Sequence, residues 1–160
     1  MLHPNPPTIL IAEDDPVFRR LMHFTLDQEG YRVLTAPDGE QAWQRLQEGD
    51  VDLLVTDHQM PQCSGIELLH RIRTAASEGN SLVSTAVLCT AKGFELDCGQ
   101  LQEEFGLLAV MGKPFSPKQL TRMINGHFAP LLANHPEAPK PVAAKPWGGV
   151  GGRSPPSRLS

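Results

Sequence analysis

Four short, largely apolar runs, each followed closely by charged or hydroxyl residues, constrain this chain more than any other feature. Thr8–Ala12 runs into Glu13-Asp14-Asp15, and Val51–Thr56 runs into Asp57. Thr85–Cys89 ends at Thr90, and Leu107–Met111 leads to Lys113-Pro114. Runs of this length and composition suit strands buried on both faces. Laid side by side in one parallel sheet, their carboxyl ends converge on a single edge. That edge then gathers at least three carboxylates, one hydroxyl and one ammonium. Such a collection suits a divalent cation and a phosphoryl group.

Between these runs the pattern changes to a helical period. Asp15-Pro16 is a cap followed by proline at the first helical position. Phe18, Leu21, Met22 and Leu26 then recur as one buried face, and Gly30 supplies the stop. Arg32–Ala36 reads as a further strand, and Asp38-Gly39-Glu40 opens a helix carrying Ala42, Trp43 and Leu46. A loop from Asp57 reaches Ser64-Gly65, with a helix from Ile66 to Ala76. Ser116-Pro117 repeats the cap-then-proline signal before Leu120, Met123, Ile124 and Phe128. The stretch from Lys92 to Phe105 has only Leu96, Leu101 and Phe105 as apolar anchors, which predicts a short, weakly anchored helix. Alternating strands and helices predict an α/β fold, a five-stranded doubly wound parallel sheet in the order 2-1-3-4-5 with helices on both faces, flavodoxin-like. In such sheets ligands bind outside the strand ends where the winding reverses, here between the first and third strands. Those two strands carry Glu13-Asp14 and Asp57.

The length, 160 residues, accommodates one domain with a proper core. Residues 1–7 are expected to be a flexible N-terminus, 8–133 the domain and 134–160 a flexible tail. The tail holds six prolines and four glycines and offers too little apolar surface to offset the entropy of ordering. Net charge is −4; the tail carries +3, which leaves −7 on the first 133 residues. A domain this acidic is a poor nucleic-acid binder, because affinity for phosphate backbones needs cationic surface. Direct nucleic-acid contact is not expected. Nor is a membrane segment, since no apolar run approaches the ~20 residues of a span. The N-terminus has no basic region followed by an apolar stretch, and Cys63, Cys89 and Cys98 form no CxxC pair. Reduced thiols in a cytoplasmic protein are the expectation.

Glu13-Asp14, Asp57-His58-Gln59-Met60-Pro61 with Gly65, Thr90-Ala91 and Lys113-Pro114-Phe115 occur in this order and spacing. Over residues 8 to 132 the chain therefore resembles the receiver domain of two-component response regulators. The resemblance implies Asp57 as phosphoacceptor. It implies Mg²⁺ held by Asp14, Asp57 and the backbone carbonyl of Gln59, with Glu13 acting through a water. Thr90, with Ala91 beside it, and Lys113 would contact the phosphoryl oxygens, and the Lys113-Pro114 peptide would be cis. The phosphoryl donor would be a sensor histidine kinase or a histidine phosphotransfer protein. With only the tail after residue 133, the chain is expected to be a stand-alone, chemotaxis-type receiver acting through protein contact on an unidentified target.

Some positions tune or depart from that pattern. Glu13 stands where the family most often has Asp, and Ser64 stands where Asp often precedes the glycine. Gln59 and Lys92 flank the route of an attacking water and are expected to slow hydrolysis of the acyl phosphate. Val110 occupies the position of the aromatic that usually moves on activation, so the usual readout lacks its ring. His58 adjoins Asp57, but alternation along an extended segment points it to the opposite face. Cys63 lies near the site with nothing in sequence to lower its pKa, and the remaining histidines lack metal spacing. Two other function classes remain. One is a receiver whose switch has decayed into a constitutive interaction module. The other is an enzyme of the haloacid-dehalogenase type; Gln59 replaces the second Asp those phosphatases carry. Beyond its own phosphorylation and dephosphorylation, no enzymatic turnover is expected.

Overall fold

The computed structural model describes residues 5–93 and 95–133. The chain alternates β1 (Thr8–Ala12), α1 (Pro16–Gln28), β2 (Arg32–Ala36), α2 (Gly39–Gln47), β3 (Leu53–Asp57) and α3 (Gly65–Ser77). It continues with β4 (Thr85–Thr90), α4 (Cys98–Phe105), β5 (Ala109–Gly112) and α5 (Pro117–Ala133). All strands run parallel in the order β2-β1-β3-β4-β5, as expected. Residues 1–4 and the tail from Asn134, both expected to be flexible, lie outside the described residues.

Alternation along the strands divides the core into two layers. Ile9, Ile11, Val55 and Val87 pack with Met22 and Leu26 of α1 and with Leu120, Ile124 and Phe128 of α5. Leu10, Leu54 and Leu88 pack on the other side with Ala42 and Leu46 of α2 and Leu68 and Leu69 of α3. The caps expected at Asp15 and Ser116 form, the latter with the Gln119 amide donating to Ser116 Oγ at 3.2 Å, and Asp38 and Ser64 cap the helices they open. Asp15 accepts from the Val17 and Phe18 amides, Asp38 from Gln41, and Ser64 and Glu67 make a reciprocal capping box.

Three expectations need correcting. Leu21 is 46% exposed and does not share the buried face, because Met22 and Leu26 alone carry the inward stripe to full burial. The third strand begins at Leu53 and ends on Asp57 itself. The fifth begins at Ala109, because Gly106 takes the left-handed conformation (φ 63°) that ends α4, and the Leu107 amide turns back to the Gln102 carbonyl at 3.0 Å. Leu107 is buried, but as part of that turn.

α4 contains no buried residue. Leu101 and Phe105 reach the core only in part. The helix is instead clasped to α3, with an Arg73–Glu104 ion pair at 3.1 Å and with Arg73 and His70 against the Phe105 ring. Exposed ion pairs contribute little, so α4 is the least strongly held helix.

Candidate functional site

Register explains why residues far apart in sequence meet. Ala12 lies opposite Thr56, so Glu13 and Asp14 emerge beside Asp57. Asp57 lies opposite Cys89, and Thr90 opposite Gly112, which brings His58, Thr90 and Lys113 to the same edge. The Lys113 amide closes the arrangement by donating to the Thr90 carbonyl at 2.8 Å, and the Lys113-Pro114 peptide is cis.

The Lys113 ammonium sits between two buried carboxylates, 3.2 Å from Glu13 Oε1 and 3.1 Å from Asp57 Oδ1. Asp14 is exposed at the mouth. Burial pushes the Asp57 carboxyl above the usual Asp range, and Lys113 only partly offsets it. Burial likewise raises Glu13, although the Asp15 amide donates to it. For Lys113, desolvation pulls downward, but the hydrogen bond and charge of Asp57, with those of Glu13, hold it above the ordinary lysine value. One ammonium thus serves two acids that water reaches poorly.

Glu13, Asp14 and Asp57 each place a carboxylate oxygen within 4.8 Å of the others. That spacing and the all-oxygen donor set fit a hard divalent cation such as Mg²⁺. The α3 N-terminus pins the loop that follows Asp57. The Gly65 amide donates to the His58 carbonyl at 2.8 Å, and a Cβ at Gly65 would collide with the Asp57 carbonyl oxygen.

The remaining expected residues fall around this edge. Thr90 is fully buried, Ala91 beside it is exposed, and Gln59 is exposed on the loop leaving Asp57. The Lys92 ammonium pairs loosely with Glu95 at 3.9 Å, while its backbone amide donates to Thr90 Oγ1 at 2.9 Å. Val110 is partly buried against the α2–α3 layer. Cys63 is buried, and burial pushes its thiol up, which disfavours the reactive thiolate.

Two residues were not recognised from sequence as part of the site. Arg19 Nη1 donates to the Glu13 carbonyl at 2.7 Å, and nothing in the sequence signals it. His58 does not point away from the site. β3 ends at Asp57, so strand alternation no longer governs the next residue. Its amide donates to Asp57 Oδ1 at 2.9 Å, and its Nδ1 lies 3.5 Å from Thr90 Oγ1. Burial, with the Lys92 charge, lowers the His58 pKa, so the neutral ring dominates near neutral pH.

The family model described as "Response regulator receiver domain" matches residues 9–125. The chain belongs to the response regulator receiver family. Among curated relatives of this receiver, the response regulator GtcR of Aneurinibacillus migulanus is 32% identical over 131 residues, 81% of this chain and 51% of its own. The transcriptional regulatory protein CpxR of Klebsiella pneumoniae is 37% identical over 116 residues, 72% of this chain and 47% of its own. The receiver thus spans about half the length of these relatives. Among solved structures, response regulator TrrA of Thermotoga maritima, in complex with Mg(2+)-BeF, is 28% identical with a TM-score of 0.61. That match covers 74% of this chain and 96% of TrrA. The receiver domain of Saccharomyces cerevisiae Ssk1, co-crystallised with the histidine phosphotransfer protein Ypd1, has a TM-score of 0.67 at 24% identity, covering 76% and 88% of the two chains. Among the described residues no helix is long and apolar enough to cross a membrane. The receiver is a two-component signalling module with an acidic site compatible with Mg²⁺ and aspartyl phosphorylation.

Proposed function

We propose that this receiver accepts a phosphoryl group from a phosphohistidine onto the Asp57 carboxylate and that the acyl phosphate selects which protein it contacts. The observation that carries this reading is the buried Asp57 carboxylate, with an ammonium 3.1 Å away and two further carboxylates beside it. In the transfer an Asp57 oxygen attacks phosphorus, the new O–P bond forms, and the P–N bond breaks with its electron pair returning to the imidazole. Lys113 pairs with one phosphoryl oxygen, and the Thr90 hydroxyl donates to another. Mg²⁺ bound by Asp14, Asp57 and the Gln59 carbonyl, with Glu13 behind a water, would neutralise charge on the phosphoryl group and the acceptor. Hydrolysis by water attack on phosphorus restores the carboxylate, so the protein turns over only its own acyl phosphate. Gln59 and Lys92, two residues beyond Asp57 and Thr90, would shield that attack.

The donor is a sensor histidine kinase or a histidine phosphotransfer protein, the class of partner found with the Ssk1 receiver. α1 begins two residues after Asp14 and exposes Val17 (71%), Leu21 and Phe24 (60%) on successive turns. An apolar stripe this close to the acceptor suits docking of a histidine-bearing helix. Phe24→Glu is expected to weaken transfer from a phosphorylated histidine protein about tenfold or more in KM, the scale of an aromatic hot spot. The same variant should leave phosphorylation by phosphoramidate unchanged, which stopped-flow with each donor would check.

Mg²⁺ should stabilise the fold by about 1.4 kcal/mol at ten times its Kd by mass action. Burial raises the pKa of Asp57 and Glu13, so protons compete with the ion, and the gain should shrink as pH falls from 7.5 toward the carboxylate range. Thermal melts across pH, with and without Mg²⁺, measure this.

Incubation with phosphoramidate and Mg²⁺ is expected to add one phosphoryl group that hydroxylamine removes, as it does from an acyl phosphate. A group stable to hydroxylamine would count against Asp57. The second reading, a decayed receiver binding its partner constitutively, is favoured by Val110 and Glu13, against Asp14, Asp57, Thr90 and Lys113. It predicts no phosphoryl uptake by the folded protein.

A further inference from the structure

We propose that His58 is a positioning residue for Thr90. Its ring holds the Thr90 hydroxyl proton in the unphosphorylated protein, and a phosphoryl group on Asp57 must compete for that proton. This rests on the phosphoacceptor reading and adds a chain-specific control to the same site.

Thr90 Oγ1 is fully buried and accepts from the Lys92 amide at 2.9 Å. A hydroxyl has one proton to give, and with that acceptor position filled its proton turns toward the nearest lone pair. His58 Nδ1, at 3.5 Å, supplies that lone pair in the tautomer protonated on Nε2. The parallel register places the two residues on adjoining strand ends, and the His58 amide is fixed twice, to Asp57 Oδ1 at 2.9 Å and to the Cys89 carbonyl at 2.8 Å. The residue is therefore anchored at its backbone amide by the phosphoacceptor itself and at Nδ1 by the switch residue. Turning the Thr90 hydroxyl's hydrogen bond from Nδ1 to a phosphoryl oxygen breaks the ring contact and leaves the Lys92 amide still donating to Oγ1. It frees His58 at the surface edge of the site, where Ala91 and Gln59 are exposed. With valine at position 110, this pair is a local carrier of the phosphorylation signal that needs no aromatic ring.

His58→Leu removes the competing acceptor at similar volume. His58→Asn places an amide oxygen near the position of Nδ1 and restores it. A single neutral hydrogen bond of this length predicts that His58→Leu is phosphorylated by phosphoramidate about two- to fivefold faster than the parent. His58→Asn should return to the parent rate, and in a Thr90→Ala background the His58→Leu effect should vanish. NMR of labelled Thr side chains in the unphosphorylated protein reads the same contact directly, with a Thr90 shift in the Leu variant that the Asn variant reverses. Equal rates for parent, Leu and Asn forms, a slower Leu form, or an effect that survives Thr90→Ala would overturn the proposal. Failure of the parent itself to take phosphate would instead remove the phosphoacceptor reading, and the Thr90 shift would still decide whether the ring holds the hydroxyl.

Discussion

Gly65→Ala is expected to lower stability by about 3 kcal/mol, at the upper end for overpacking, and to impair phosphoryl uptake as well. The added methyl would meet the Asp57 carbonyl oxygen at overlap distance, with the Asp57 carbonyl carbon and the His58 Cα each at 3.0 Å. All three are backbone atoms, so no rotamer change relieves the contact. Either α3 withdraws, losing the Gly65 amide bond to His58, or the loop carrying the acceptor moves. Both responses couple stability to the position of Asp57. Gly126→Ala is the control. Gly126 lies in α5 with open space where its Cβ would stand, so alanine there should stabilise by about 0.5–1 kcal/mol. Urea melts of both variants, each with its phosphorylation rate, check the pair. A Gly65→Ala protein as stable as the parent would mean that the loop is less tightly held than the geometry shows.

Lys113→Ala is expected to separate two properties that usually fall together. Phosphorylation should slow about 100-fold, the scale of losing one fixed charge aimed at a developing anion. Mg²⁺ should bind several-fold more tightly, because the ammonium lies 3.2 Å from Glu13 and 3.1 Å from Asp57 and competes with a cation for the same oxygens. Titration calorimetry and stopped-flow phosphorylation measure the two effects. Weaker Mg²⁺ binding in this variant would show that Lys113 organises the carboxylates more than it competes for them.

Much of this was legible in the sequence because the fold concentrates its chemistry at strand ends. Five strands and their order follow from the alternation of strand and helix patterns, and the meeting of Glu13, Asp14, Asp57, Thr90 and Lys113 from four apolar runs that stop at or near polar residues. The caps at Asp15, Asp38 and Ser64 were equally legible, being local chemistry. What escaped depends on register or on partial burial. His58 reaches Thr90 only because the register that sets Asp57 opposite Cys89 carries β4 one residue past the end of β3, and Arg19 reaches the Glu13 carbonyl only because α1 folds back over β1. Leu21 looked like a core residue because periodicity marks a stripe but does not fix its width. The start of β5 slipped because the left-handed turn at Gly106 draws buried Leu107 out of the strand.

Asp57 is expected to take the phosphoryl group in a cation-dependent reaction. The most direct test runs the parent protein, Asp57→Asn and a chelator-treated parent side by side with phosphoramidate on a phosphate-affinity gel. One retarded band is expected for the parent with Mg²⁺ and none in the other two lanes. An equally retarded band for folded Asp57→Asn, or none for the folded parent, would contradict it.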